Sequence, residues 1–154
     1  MQNVDTNKTR NFALIGHTGD GKTSLGEAFL HAAGATSTLG KVDDGSSVLD
    51  HTPEEKERHH TLTSSLYGFA WNNRHLTLVD TPGDPNFQGD GQVALVSLDG
   101  AILLVSAVDG AQVGTEGMWR ASERVGTPLV AFVNGMDRDH VDFSRALESL
   151  RGMG

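Results

Sequence analysis

The sequence contains no cysteine, which excludes a disulfide framework, a thiol nucleophile and a cysteine-bound zinc site. It also has no apolar run approaching the roughly 20 residues needed to cross a bilayer. The first ten residues are polar and carry no apolar signal region. We therefore expect a cytoplasmic protein that makes no membrane contact.

Positive charge is scarce, with 12 Lys and Arg against 20 Asp and Glu and a net charge of −8 at pH 7. Because nucleic-acid binding depends largely on basic side chains that neutralise phosphates, no independent DNA binding is expected. Proline is limited to 4 residues, whereas glycine reaches 19 of 154. With no repeating period, these glycines indicate turns and loops.

Short apolar runs alternate with segments of helical spacing, and this order predicts an α/β fold. The two asparagines at 72–73 predict a tight turn and hence one antiparallel hairpin, while the other connections favour parallel strands. We expect a three-layer sandwich with a mostly parallel sheet, one antiparallel hairpin strand and helices on both faces. Strands are predicted at 11–16, 61–71, 74–80, 101–108 and 128–134, helices at 24–33, 92–98, 113–125 and 141–151, and loops at 35–60 and 81–91. The strands at 11–16 and 128–134 are expected to be buried.

Residues 16–23 match the glycine-rich pattern of P-loop NTPases and lie between a predicted strand and a predicted helix, the context that the motif requires. Glycine allows backbone N–H groups to close around phosphate oxygens. Lys22 is predicted to reach the β- and γ-phosphates, and the Thr23 hydroxyl to bind Mg²⁺. The predicted phosphate-binding positions are Gly16, His17, Thr18, Gly19, Asp20, Gly21, Lys22, Thr23 and Ser24.

Two further motifs follow predicted strands. Asp80 opens an Asp-Thr-Pro-Gly run and is placed to supply the second carboxylate near Mg²⁺, while Gly83 can turn its N–H toward the γ-phosphate. Asn134 and Asp137 follow the last predicted strand. A carboxylate there can accept bonds from both N1–H and the 2-amino group of guanine, a donor pair that adenine lacks, so the motif favours guanine.

These motifs, in this order, resemble the GTPase superfamily, and the surrounding sequence is most similar to the translational GTPases, closest to elongation factor G. The resemblance is carried by residues 50–63, 79–83, 106–110 and 131–138. It implies GTP/GDP and Mg²⁺ as ligands, the ribosome as a candidate partner, switch I at 35–60 and switch II at 80–91. It also implies that Thr61 closes on Mg²⁺ and the γ-phosphate in the GTP state. Residues 1–154 would then form a single GTP-binding domain that stops before its last strand and helix.

The departures from that family bear on catalysis. Asp84 stands where the family has the histidine that positions the attacking water, and Gly135 stands where the base-binding motif has lysine. Asp84 stays a candidate catalytic residue beside Lys22 and Gly83, and hydrolysis is expected to be slow. Two other functions stay open: a GTP/GDP switch that hardly hydrolyses and acts through partner contacts, and an ATP-using P-loop enzyme.

Overall fold

The computed structural model describes residues 5–58 and 60–153, so positions 1–4, 59 and 154 of the predicted domain lie outside the described residues. The strands are β1 (Thr9–Gly16), β2 (Ser65–Trp71), β3 (Arg74–Asp80), β4 (Gly100–Ser106) and β5 (Leu129–Asn134). The helices are α1 (Lys22–Ala32), α2 (Pro53–Arg58), α3 (Gln88–Leu95), α4 (Val113–Val125) and α5 (Phe143–Arg151). Short 3₁₀ turns lie at Thr6–Lys8 and Pro85–Phe87.

The sheet has the strand order β2-β3-β1-β4-β5, with β2 antiparallel to β3 and all other pairs parallel. Asn72 and Asn73 make the hairpin turn with φ of 47° and 59°, the left-handed conformation that tight hairpin turns require. Leu14 of β1 is paired with Asp80 of β3. This register brings the end of β3 beside the glycine-rich loop that leaves β1.

Helices cover both faces of the sheet, so the predicted three-layer sandwich is confirmed. On one face α1 closes a cluster of buried leucines formed by Leu14, Leu30, Leu49, Leu78 and Leu104. On the other face, side chains of α3, α4 and α5 pack against alternate residues of the same strands. The strand residues include Ala13, Ile15 and Leu103, and the helix residues include Leu95, Met118 and Leu150. Burial on both faces explains why the inner strands are nearly continuous apolar runs. Among the described helices, none is long and apolar enough to span a bilayer.

Two predictions around residues 52–64 were wrong for one reason. The predicted loop contains α2, whose start is capped because the Glu55 carboxylate accepts bonds from the N–H (3.1 Å) and hydroxyl (2.9 Å) of Thr52. The other oxygen of Glu55 accepts the N–H groups of Leu62 (3.0 Å) and Thr63 (3.2 Å). Those amides are therefore unavailable to the sheet, and β2 begins only at Ser65.

Two other elements differ from prediction. Helix α3 begins at Gln88, inside the predicted loop, because it packs against α4 despite the glycines that indicated a loop. Strand β5 pairs only with β4 among the described strands and forms an edge, where a buried strand was expected. Val130 is 67% exposed and Phe132 39% exposed on this edge.

Candidate functional site

The glycine-rich loop joins the end of β1 to the start of α1 and is braced by its own polar groups. Lys22 is buried, and its Nζ donates to the carbonyl oxygen of His17 at 2.7 Å. Burial lowers the pKa of Lys22, although Asp80 and Asp20 oppose that shift. Asp20 accepts the N–H of His17 at 3.0 Å, and burial raises the pKa of its carboxyl to about 6. The loop is thus preformed around a buried cation.

Three predicted metal ligands converge beside Lys22. The Thr23 hydroxyl donates to Asp80 Oδ2 at 2.7 Å and lies 3.0 Å from the hydroxyl oxygen of Thr61. Asp80 is fully buried, and its Oδ1 has no hydrogen-bond partner among the described residues. Burial raises the pKa of this carboxyl to about 7, while the bond from Thr23 and the charge of Lys22 oppose the rise. An orphaned buried carboxylate oxygen beside two hydroxyls is an oxygen-only donor set, which suits a hard cation such as Mg²⁺.

A second buried carboxylate, which the sequence analysis did not single out, holds Thr61 in this cluster. Asp50 is 2% exposed, and its Oδ1 accepts the Thr61 hydroxyl at 2.9 Å. Burial raises the pKa of Asp50, and the bond from Thr61 opposes that rise. Its only signal in the sequence was its place at the start of the segment 50–63 that carried the family resemblance.

Gly83 comes so close to the glycine-rich loop that no other residue fits there. A Cβ at this position would lie against Lys22 Nζ and 2.7 Å from the backbone nitrogen of Thr18. The next residue, Asp84, is partly buried, and its Oδ1 accepts bonds from the backbone N–H (2.8 Å) and Nδ2 (2.9 Å) of Asn86. The Asp84 carboxylate therefore stabilises the Pro85–Phe87 turn.

The end of β5 meets the glycine-rich loop from the other side. Asn134 donates from Nδ2 to the carbonyl oxygen of Asp20 at 2.8 Å. Arg138 covers the open side of Gly135, since a Cβ at that glycine would lie 3.6 Å from both Cδ and Nε of the arginine. Sequence reasoning missed Arg138, because nothing in the spacing shows which way its side chain turns. Asp137 is exposed in the turn that follows β5.

These groups open onto one cleft of about 420 Å³. Ten predicted site residues line it: Thr18, Gly19, Gly21, Lys22, Thr23, Ser24, Thr61, Gly83, Asp84 and Asn134. Gly16 and Asp80 are buried at the strand ends behind it, and His17 and Asp20 support the loop from beneath. Asp137 is not among the lining residues, so the structure leaves this predicted base contact outside the cleft.

A glycine-rich loop between β1 and α1, with a lysine and a threonine opening the helix and an aspartate ending the neighbouring strand, defines a P-loop NTPase domain. The family profile of the elongation factor Tu GTP-binding domain matches residues 7–152. The chain belongs to that family.

Similar proteins include an elongation factor G and a ribosome-releasing factor. The chain is 39% identical over 150 residues to elongation factor G 1 of Geobacter sulfurreducens, covering 97% of this chain and 22% of that protein. It is 35% identical over 150 residues to the mitochondrial ribosome-releasing factor 2 of Debaryomyces hansenii, covering 97% of this chain and 17% of that protein. The chain therefore spans about a fifth of the length of these relatives.

A crystal structure of a protein from Thermus thermophilus superimposes with a TM-score of 0.87 at 38% identity. The match covers 93% of this chain and 22% of that one. The fold thus agrees with that expected from the sequence.

Proposed function

We propose that this chain is a Mg²⁺-dependent guanine-nucleotide-binding domain of an elongation factor G-like translational GTPase, which hydrolyses GTP slowly to GDP and phosphate. The observation that carries the proposal is the convergence of Lys22, Thr23, Thr61 and Asp80 at one end of the cleft. These residues come from the glycine-rich loop, the segment before β2 and the end of β3. Family membership and the names of the relatives support guanine nucleotide as the ligand and the ribosome as the partner.

Residues 16–24 are proposed to hold the phosphates through backbone N–H groups, with Lys22 as the counter-charge. Lys22 Nζ already lies at the mouth of the loop, 2.7 Å from the His17 carbonyl oxygen, and a phosphate oxygen would compete for the same donor. Gly83, in close contact with this amine, is proposed to offer its N–H to the γ-phosphate. A bound nucleotide would thereby link the glycine-rich loop to the Asp-Thr-Pro-Gly segment that follows β3.

Thr23, Thr61 and Asp80 are proposed to organise Mg²⁺. The fit rests on the unpartnered Oδ1 of Asp80 and on the two hydroxyl oxygens 3.0 Å apart. A cation there would neutralise phosphate charge and would also relieve the cost of burying an ionised Asp80. Thr61 would respond to the nucleotide state, because it lies in the segment before β2, where the Asp50 carboxylate accepts its hydroxyl and the Thr23 hydroxyl oxygen lies 3.0 Å away.

Asn134 and Asp137 are proposed to read the guanine base. Asn134 fits this role because it joins the glycine-rich loop to the end of β5. Asp137 lies in the exposed turn that follows β5, between Asn134 and Arg138, both of which line the cleft.

A non-hydrolysing switch is the second candidate, and the position of Asp84 favours it. An ionised aspartate can only accept hydrogen bonds, and this one already accepts two from Asn86. Orienting a water for attack on the γ-phosphate therefore needs either a rearrangement of the Pro85–Phe87 turn or a group supplied by a partner. The ribosome is the proposed partner by family, and a cytoplasmic location stays a prediction.

The domain boundaries are a further proposal. We infer that residues 1–154 are part of one GTP-binding domain that continues with another strand beside β5. The exposed Val130 and Phe132 on that edge support the inference. An apolar open edge is unfavourable unless another segment covers it.

The test is nucleotide titration of the chain by calorimetry, with and without Mg²⁺. GDP and GTP are expected to bind more tightly than ADP and ATP. Removing Mg²⁺ is expected to weaken the binding of GTP more than that of the other nucleotides. Asp80→Asn should abolish most of the Mg²⁺ effect, whereas the surface change Asp43→Asn in the same cleft should not. Equal affinities for guanine and adenine nucleotides would instead support an ATP-using P-loop enzyme.

A further inference from the structure

A fully buried carboxylate on α1 faces the loop between α1 and α2 and has no place in the proposed nucleotide chemistry. Glu27 is 0% exposed and lies one helical turn after Thr23. Its Oε1 accepts bonds from the Ser47 hydroxyl (2.8 Å), from Val48 N–H (2.6 Å) and from Leu49 N–H (3.1 Å). One oxygen of helix α1 thus holds three consecutive residues of the loop.

This anchored turn leads directly to the proposed Mg²⁺ ligands Thr23, Thr61 and Asp80. The Ser47 hydroxyl accepts the N–H groups of Leu49 and Asp50, both at 3.2 Å. Asp50 accepts the Thr61 hydroxyl at 2.9 Å, and Thr61 lies 3.0 Å from Thr23. The hydrogen bonds therefore run from Glu27 through Ser47 and Asp50 to Thr61, whose hydroxyl oxygen lies in contact with that of Thr23 on the same helix.

The loop encloses Glu27 without spare room. A Cβ at Gly40 would lie 2.8 Å from the carboxyl carbon of Glu27 and 3.0 Å from the carbonyl oxygen of Ser46. The second oxygen, Oε2, has no hydrogen-bond partner among the described residues. Burying such a group is costly. Packing alone does not account for it, because an apolar side chain of the same shape would avoid the cost but would take away the acceptor of the Val48 N–H and of the Ser47 hydroxyl.

We propose that Glu27 is a positioning residue that places Thr61 through Ser47 and Asp50, and thereby favours the GTP-bound over the GDP-bound state. The inference rests on the proposed function, in which Lys22 and Thr23 meet both nucleotides whereas Thr61 contacts the γ-phosphate, which GDP lacks. Loss of the anchor should therefore weaken GTP binding more than GDP binding. A purely structural role would weaken both alike.

The experiment compares Glu27→Ala with the conservative Glu27→Gln, which keeps an oxygen acceptor of similar shape. Dissociation constants are measured for GDP and for a non-hydrolysable GTP analogue in saturating Mg²⁺. Glu27→Ala should raise the analogue-to-GDP ratio of dissociation constants about tenfold, the equivalent of about 1.4 kcal/mol. Glu27→Gln should restore most of the parent ratio. Leu150→Ala, a buried change on α5, controls for general loss of stability and should leave the ratio unchanged.

Amide hydrogen exchange gives a readout that needs no nucleotide. Exchange at Val48 and Leu49 should accelerate in Glu27→Ala and stay slow in Leu150→Ala. Gly40→Ala, which crowds the carboxylate, should act in the same direction as Glu27→Ala, and the two should not be additive because they disturb one contact. If Glu27→Ala does not fold, the ratio of dissociation constants is compared between Gly40→Ala and Glu27→Gln. Gly40→Ala should raise the ratio, and Glu27→Gln should leave it near that of the parent.

The two proposals fail in different ways. A parent chain that does not bind guanine nucleotides overturns the proposed function and, with it, the switch role of Glu27. A parent that binds GTP as proposed, combined with an unchanged nucleotide ratio in Glu27→Ala, overturns the role of Glu27 alone. Unchanged exchange at Val48 and Leu49 in that variant would contradict the anchor itself.

Discussion

Asn86 donates both its backbone N–H (2.8 Å) and its side-chain Nδ2 (2.9 Å) to the carboxylate of Asp84, the residue that stands where the resemblance places a histidine. Asp84 is thus held by its own turn. Two like charges about 4 Å apart repel by about 4 kcal/mol at an effective dielectric of about 20, so an ionised Asp84 near the γ-phosphate would oppose catalysis. Substitutions at Asp84 and Asn86 can therefore test whether this carboxylate makes GTP hydrolysis slow.

Single-turnover GTP hydrolysis is expected to be slow in the parent chain. Asp84→His should raise the rate by at least about tenfold, because imidazole can donate a hydrogen bond and carries no fixed negative charge. Asp84→Ala should change the rate little. Asn86→Ala, which removes the side-chain donor to Asp84 and keeps the backbone N–H donor, serves as the matched control and should not accelerate hydrolysis. Abolition of the parent's rate by Asp84→Ala would show that Asp84 is itself catalytic.

Base specificity is expected to depend on Asp137. Asp137→Asn should shift preference from guanine to xanthine nucleotides, because the amide replaces one of two acceptors with a donor and xanthine presents the complementary pair. Competition between GDP and XDP measures the shift. Asp139→Asn, an equally exposed change two residues away, should leave the preference unaltered. An equal loss of affinity for GDP in both variants would argue against a role for Asp137 in reading the base.

Arg138 is expected to contribute to nucleotide affinity. Its side chain covers Gly135 and lines the cleft beside Asn134, so its planar guanidinium can stack on a base. Arg138→Ala should weaken GDP binding by about fivefold to tenfold, equivalent to about 1–1.4 kcal/mol, and Arg138→Lys should recover only part of the loss. Arg145→Ala, on the exposed side of α5, is the control. An unchanged dissociation constant in Arg138→Ala would exclude the contact.

The loop that contains Thr61 is expected to loosen in acid. Burial disfavours the charge of Glu55, but the N–H groups of Thr52, Leu62 and Thr63 outweigh it and lower the pKa of its carboxyl from 4.5 to about 2. Because the folded pKa is below the unfolded one, the stabilisation is complete above pH 4.5 and is lost as the pH falls toward 2. Amide exchange at Leu62 and Thr63 should accelerate across that interval.

Glu55→Gln supplies the test of this assignment. Its amide keeps only one acceptor oxygen, so either Thr52 or the pair Leu62 and Thr63 loses its acceptor. The loop should therefore loosen already at neutral pH, by about 1–3 kcal/mol, and the acid dependence should disappear. Glu54→Gln, the exposed neighbour on α2, should behave like the parent. If the acid transition persists in Glu55→Gln, another carboxylate controls the loop.

The sequence alone was sufficient for features that depend on neighbouring residues. The bounds of α4 agree with prediction, as do those of β3, and the two asparagines at 72–73 make the predicted hairpin turn. The glycine-rich loop and Asp80 were also found by spacing. Local chirality, the two side-chain periods and short-range turn chemistry determine such features, so a short window of sequence contains the necessary information.

Only the tertiary structure decided which distant side chains meet. Glu55 accepts bonds from Thr52, which caps α2, and from the amides of Leu62 and Thr63, which shortens β2. Glu27 holds the turn that bears Asp50, and Arg138 folds over Gly135. Each contact joins segments whose separation is set by the packing of the whole sheet and its helices. Because that packing sums many weak interactions over the chain, no short window of sequence specifies these contacts.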